Sequence, residues 1–257
     1  MLTTTSRTAD ENLAVYGKPQ VVGYYEQLSG LQPVEEYLFT KYVRRGSAVV
    51  DIGVGGGRTT PWLSAHAGKY LGIDYSEAMV SACKARFPAL KFMHGDATDL
   101  SFLSDLFDVV VFSFNGIDCI SSDSGRLEAL RQMRRALKTD GAIIFSSHNA
   151  KQLAQYPSLA GASASRRVWR SFRALARTPF VAYRALRSNA FFAGCGYVHD
   201  PVHGGLRLHV STPESITRDA QSAGLSVVEV VGGYYPAELS RYLTSWYYYV
   251  LRPLGAA

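Results

Sequence analysis

Between residues 46 and 150, short β-branched runs alternate with stretches whose apolar residues recur at helical spacing. Ala48–Ile52 reads as a buried strand, and a glycine-rich turn separates it from a helix that starts at about Thr59. Tyr70–Asp74 reads as a second strand. Ser76 is placed to cap a helix over Glu77–Arg86, which Pro88 follows. Lys91–His94 and Phe107–Phe114 supply a third and a fourth strand. Arg126–Leu137 carries Leu127, Leu130, Met133 and Leu137 on one helical face and closes on the turn TDG, ahead of a fifth strand over Ala142–Ser147. Strict alternation of strand and helix predicts a parallel sheet wrapped on both sides.

After a gap of about sixty residues the pattern resumes. Thr212 precedes Pro213 and Glu214, an N-cap with proline at the first helical position, and leads into a helix over Ser215–Ala223. LSVVEVVGG and WYYYVLRP predict two strands, joined through a loop with Pro236, that end the sheet as an antiparallel pair. At the other end, VYGKPQVVGYYEQLSGLQPVEEYLF predicts a helix or two. The chain thus divides into an N-terminal helical segment (1–45), a core (46–150), an insertion (151–211) and the end of the core (212–257).

Composition narrows the class. A chain of 257 residues, 47% hydrophobic, can bury one sizeable core. Its three cysteines, Cys83, Cys119 and Cys195, are far apart and odd in number, which excludes a disulfide framework and offers no zinc-ligand spacing. No apolar run is long enough to span a bilayer, and the first residues lack the apolar core of a signal peptide, so a cytoplasmic protein is expected. The net charge of +6 is unevenly placed. Between Gly141 and His199 stand eight basic residues and no acidic one, which leaves −2 for the rest.

Candidate chemistry gathers at the strand ends. The turn after the first strand, VVDIGVGGGRTT, brings backbone N–H groups and a helix N-terminus to one place. It does not fit G-x-G-x-x-G, because the sixth position is Arg58 counting from Gly53 and Thr60 counting from Gly55. What stands there is G-x-G-x-G, with Gly53, Gly55 and Gly57 behind Asp51. Asp74 ends the second strand, where its two oxygens match a ribose diol, and Asp96 follows the third strand on the same rim.

VVDIGVGGG, GIDYSEAM, HGDATDL, FDVVVFSFNGID and LKTDGAIIFSSHN, in that order, resemble the class I methyltransferases that use S-adenosylmethionine (SAM). The resemblance covers about residues 46–150, with a weaker match over 212–252. It implies a Rossmann-like α/β fold of seven mostly parallel strands with helices on both faces, an antiparallel last strand, a helical N-terminal lid and a cap inserted after the fifth strand. It also implies roles by position. The loop Asp51–Gly57, with Asp51, Gly53, Gly55 and Gly57 as its contacts, would lie against the methionine part of SAM. Asp74 would hold the ribose hydroxyls, with Tyr75 against the adenine and Met79 a further cofactor contact, and Asp96 and the Ala97 N–H would bond the adenine edge. Phe112–Asn115 would floor the transfer site. Tyr16, Tyr24 and Tyr25 fall where the family closes its cofactor pocket, with Tyr16 and Tyr24 taken as the cofactor contacts.

Because the sulfonium already makes the methyl electrophilic, a general base is needed only for some acceptors. His148 at the rim, and His199 and His203 in the turn-rich YVHDPVHGG with Asp200 beside them, are the candidate bases. Asn115, Asp118 and Arg170 are candidate contacts for an acceptor, expected to be a small molecule, methylated on oxygen or nitrogen. The alternatives are a lipid-linked or glycan acceptor at a membrane face, and a SAM-binding module without catalysis.

The insertion adds a question of its own. Arg166, Arg170, Arg173 and Arg177 share a helical face, with Val168, Trp169, Phe172 and Leu175 largely on the other, and Pro179 is expected to end or kink this helix before a second begins at Phe180. An anionic substrate, a membrane surface and a solvated outer face of a cap whose apolar side covers the pocket all fit this pattern. Nucleic acid fits the charge, but no RNA-binding module accompanies it.

Overall fold

The computed structural model describes residues 12–103, 106–157, 163–200 and 206–255. One sheet of seven strands carries the fold, in the order β3-β2-β1-β4-β5-β9-β8. Its strands are β1 (Ala48–Ile52), β2 (Lys69–Asp74), β3 (Lys91–His94), β4 (Phe107–Phe112), β5 (Leu137–His148), β8 (Leu225–Gly232) and β9 (Trp246–Pro253). The first five are parallel, and β9 runs antiparallel to both β5 and β8 between which it lies. Central strands of a sheet covered on both faces must be apolar on both sides. Val109, Val110 and Val111 meet that demand and are fully enclosed, one face joining a core around Phe145 and Met133, the other a core around Leu38 and Leu63.

Helices α1 (Pro19–Gln27), α2 (Pro33–Tyr42), α3 (Thr60–His66), α4 (Glu77–Arg86) and α5 (Asp123–Arg135) precede the insertion. Helix α2 is tied to the sheet by Tyr37, Lys41 and Tyr42, which all donate to Glu229 of β8. Ser76 stands at the N-cap of α4 without a side-chain cap bond; its own N–H goes to Asp74 Oδ1 instead.

Several boundaries differ from the periodicity. Strand β4 stops at Phe112 because Phe114 and Asn115 both adopt left-handed backbone angles, φ 56° and 60°, which no strand accommodates. Helix α5 begins earlier, at Asp123, because Ser122 accepts the Gly125 N–H and caps it. TDG lies inside an irregular start of β5 rather than closing a helix. Near the C-terminal end, Thr212 caps α8 (Pro213–Ser222) through the Ser215 N–H, as its sequence suggests.

The insertion departs most. Helix α6 (Ala164–Arg187) runs through Pro179 without a break, so Phe180 does not begin a new helix. The Leu175 carbonyl, which loses the proline N–H, belongs to a solvent-facing residue. After α7 (Asn189–Ala193) the chain forms an antiparallel hairpin, β6 (Cys195–Asp200) with β7 (Leu206–Ser211), where turns were expected. His209 and Ser211 of β7 are buried, and the Ser211 carbonyl accepts from Ala150 N just past the end of β5. The apolar side of α6 does not cover a pocket: Val168, Trp169, Phe172, Leu175, Phe180, Tyr183 and Leu186 are all exposed.

Candidate functional site

The strand order reverses between β1 and β4, which opens a crevice beyond their carboxyl ends. A cavity of about 780 Å³ occupies it, within the range of small-molecule sites. Gly53 and Gly55 line it, both at positive φ, and a Cβ on Gly53 would stand 2.8 Å from the Phe112 ring. Glycine is therefore required at Gly53 both for the turn and for the room Phe112 takes. Gly57 does not line the cavity; its missing Cβ makes room for Phe87 and Cys83 of the α4 region.

Asp51 corrects the expectation too. It lies beneath the loop, fully buried and outside the cavity lining, accepting from Thr59 Oγ1 at 2.7 Å and Tyr70 OH at 3.2 Å. Burial pushes its carboxyl up to about 7, against the opposing pull of those two donors. Its task is to hold the loop, not to touch a ligand.

Asp74 does face the cavity, with Oδ2 on the Gly55 N–H at 2.8 Å and Oδ1 on the Ser76 N–H at 2.9 Å. Burial raises its pKa, offset in part by those backbone donors. Each oxygen keeps a second lone-pair direction, which suits a pair of neighbouring hydroxyls. Asp96 lines the cavity with Oδ1 on the Thr98 N–H. Tyr75, Met79, Ala97 and Phe112 complete this half of the wall.

The opposite wall comes from the N-terminal segment. Tyr16 and Tyr25 line the cavity, whereas Tyr24 is exposed and packs edge-on against Tyr25. The Tyr16 hydroxyl meets Cys119 Sγ at 3.2 Å. Burial pushes the Cys119 thiol up to about 12, which favours the protonated form. Helix α1 rests directly on Gly56, where a Cβ would stand 2.6 Å from Glu26 N. Arg58 also lines the cavity, with its guanidinium 4.8 Å from the Phe114 ring centre and paired to buried Glu35 at 2.6 and 2.5 Å. Gly56 belongs to the loop expected at the cofactor, whereas Arg58 was not a candidate although it closes the same GGGR run.

Beyond Phe114 lies a buried polar cluster. Asp118 is fully enclosed and accepts four hydrogen bonds: Arg126 Nη1 at 3.1 Å, Ser147 Oγ at 2.7 Å, and His148 N and Nδ1 at 2.7 Å each. Burial alone would raise its pKa, but His148 and Arg126 together hold it below the ordinary carboxylate value. Asp118, expected at an acceptor, is enclosed outside the cavity lining and holds the His148 ring through Nδ1. The half-exposed His148 turns Nε2 toward Asn115 Nδ2, 3.3 Å away, and Asn115 Oδ1 is buried with no hydrogen-bond partner. Neither residue lines the cavity, but Asn115 sits between Phe114 and Gly116, which do. His209 closes the far side of the cluster on Ser211 at 3.0 Å, and burial pushes it down to about 4, so it stays neutral. Arg126 was also missed, although it falls four residues before Leu130 and seven before Met133, on the apolar stripe of α5.

The remaining candidates are not brought to this place. His199 is exposed on β6, its carbonyl taken by Arg184. Arg170 is exposed on α6 and lines no part of the cavity. His203 and the Asp200 side chain lie outside the described residues. Among the described residues, no cluster of His, Cys, Asp or Glu could hold a metal ion.

Residues 49–141 match a family described as "Methyltransferase domain". Curated relatives include a demethylmenaquinone methyltransferase of Clavibacter sepedonicus, 31% identical over 102 residues, covering 38% of this chain and 40% of that one. One from Beutenbergia cavernae is 30% identical over 118 residues, covering 46% and 48%. The chain thus spans less than half the length of these relatives. Among solved structures, the CcbJ methyltransferase of Streptomyces caelestis superposes with a TM-score of 0.64 at 19% identity, over 94% of this chain and 98% of that one. A DhpI structure with S-adenosylhomocysteine gives 0.61 at 14% identity, over 98% and 100%. The fold is that of these solved methyltransferases, and residues 49–141 match the methyltransferase-domain family.

Proposed function

We propose that the chain transfers a methyl group from SAM to an oxygen or nitrogen of a small molecule and releases S-adenosylhomocysteine. One observation carries this reading: the glycine turn, Asp74 and Asp96 converge on a single cavity at the switch point of a methyltransferase fold. The donor set fits the cofactor. Gly53 and Gly55 leave room for its methionine end, Asp74 has lone pairs for its ribose hydroxyls, and Asp96 with Ala97 faces where its adenine edge would lie. Tyr75, Met79, Tyr16 and Tyr25 supply apolar walls that exclude water. Relatives named demethylmenaquinone methyltransferases support a small-molecule acceptor.

When bound, SAM supplies an electrophilic methyl, so the protein's own contribution is alignment and proton removal. Asp118 fixes the Nδ1–H tautomer of His148, which makes Nε2 the proton acceptor. An acceptor hydroxyl would displace the Asn115 amide from Nε2, hand its proton there, and find Asn115 Oδ1 free to accept a second donor. This favours a hydroxyl acceptor over an amine that is already neutral. An anionic acceptor loses its support, because the arginine face of α6 is not at the cavity.

Calorimetry with SAM, followed by a labelled-methyl screen over hydroxyl and amine acceptors, tests the proposal. Absence of SAM affinity overturns it. Affinity without transfer to any acceptor assigns the chain to cofactor-binding modules.

A further inference from the structure

Helix α6 is the largest feature the site leaves unexplained. It is 24 residues long, roughly 36 Å at 1.5 Å per residue, with only Ala174 buried. Its side chains segregate largely, with Arg187 on the apolar side and Val181 on the basic one. On a helical wheel, Val168, Trp169, Phe172, Leu175, Phe180 and Leu186 share one sector, and all are exposed, Leu175 at 73% and Phe172 at 62%. The adjoining sector holds six of the helix's seven arginines, and no acidic residue occurs from Gly141 to His199. Exposed apolar side chains of this size on one face mark a contact the isolated chain does not make.

We propose that α6 docks in the plane of an anionic phospholipid bilayer, its apolar sector in the acyl boundary and its arginines among the headgroups. Charge selects this occupant. Arginines beside the apolar sector sit at the depth of lipid phosphates and carry long stems that reach them. Trp169 and Tyr183, polar at one end, suit the interface. A second copy on the same face would set seven arginines against seven. Nucleic acid would use the arginines but leave Val168, Leu175 and Leu186 in water. The helix docks rather than spans, since no described helix is long and apolar enough to cross a membrane. The segment that carries α6 leaves the sheet just past His148, at the rim where an acceptor would enter.

Sedimentation of the full chain with vesicles tests the proposal and needs neither cofactor nor acceptor, so its outcome is independent of methyl transfer. One vesicle is phosphatidylcholine alone; the other contains about a quarter phosphatidylglycerol. The expected result is binding to the second, weakened roughly tenfold or more by high salt, with a blue shift in tryptophan emission that Trp169→Phe removes. The double variant Phe172→Asp/Leu175→Asp alters only exposed side chains and should keep the native near-ultraviolet dichroism and melting midpoint. It should bind at least ~tenfold less. No binding to the anionic vesicles at low salt overturns the proposal, as does undiminished binding by the folded double variant. Vesicle-free dimers that the double variant dissociates would assign the face to a second copy. Tighter retention by duplex DNA than by vesicles would assign it to nucleic acid.

Discussion

Two buried aspartates show how neighbours decide the role of a carboxylate. Asp118, surrounded by four donors, is held below its ordinary pKa, so its contribution to stability is present above about pH 4 and lost as pH falls further. Removing its charge leaves Arg126 buried and uncompensated. Asp118→Asn should cost about 3–5 kcal/mol in urea unfolding at pH 7 and lower turnover by releasing the His148 tautomer. His148→Ala touches a half-exposed ring, so turnover should fall by roughly 10²-fold or more for a hydroxyl acceptor, with SAM affinity by calorimetry unchanged. Asp51 behaves in the opposite sense. Its pKa is raised to about 7, so the folded state binds the extra proton, and stability should decline as pH rises from about 4 to 7. Asp51→Asn, which keeps an acceptor for Thr59 and Tyr70, should flatten that slope in urea midpoints measured across the range. Sequence could place both aspartates at strand ends or just beyond them. It could not tell that both turn away from the cavity, because their partners (Tyr70, Arg126 and Ser147) come from other elements.

Among the elements, the parallel core was legible because each strand is a compact apolar run bounded by turn residues; Ala48–Ile52, Glu77–Arg86 and Lys91–His94 match the periodicity residue for residue. Hairpin β6–β7 was not, since CGYVHD and LRLHVS mix glycine, histidine and arginine, and their order comes from pairing with each other and packing on β5. Pro179 was misleading for a related reason: it penalises a helix interior but does not forbid one at a solvent face. Pro179→Ala should raise helical dichroism and stabilise α6 without altering SAM affinity. Glu35 of α2, which holds Arg58 against the loop and also accepts from Tyr248 at 2.6 Å, is a buried ion-pair partner. Glu35→Gln should destabilise by about 3 kcal/mol and weaken SAM binding through the displaced Arg58.

At the scale of the whole molecule, the sheet is completed from its far end. Strand β9 inserts between β5 and β8 and pairs Leu251 with Ile143, so β5 depends on a partner strand far along the chain. Deleting 246–257 should leave a chain without native near-ultraviolet dichroism, because β5 would present an unpaired apolar edge. Such long-range pairing makes for slow folding.

The contact between α1 and Gly56 bears on time rather than on affinity alone. The wall carrying Tyr25 is seated on the glycine loop through backbone atoms, with no side chain to rotate aside. Lifting of this stretch of main chain is the expected gate for exchange of the proposed cofactor, which would make residence time a property of the N-terminal segment. Gly56→Ala inserts a wedge at that seat while its own backbone angles stay ordinary. Stopped-flow release of S-adenosylhomocysteine should quicken in that variant, and if release limits the cycle, multiple-turnover rate will rise while the single-turnover rate does not.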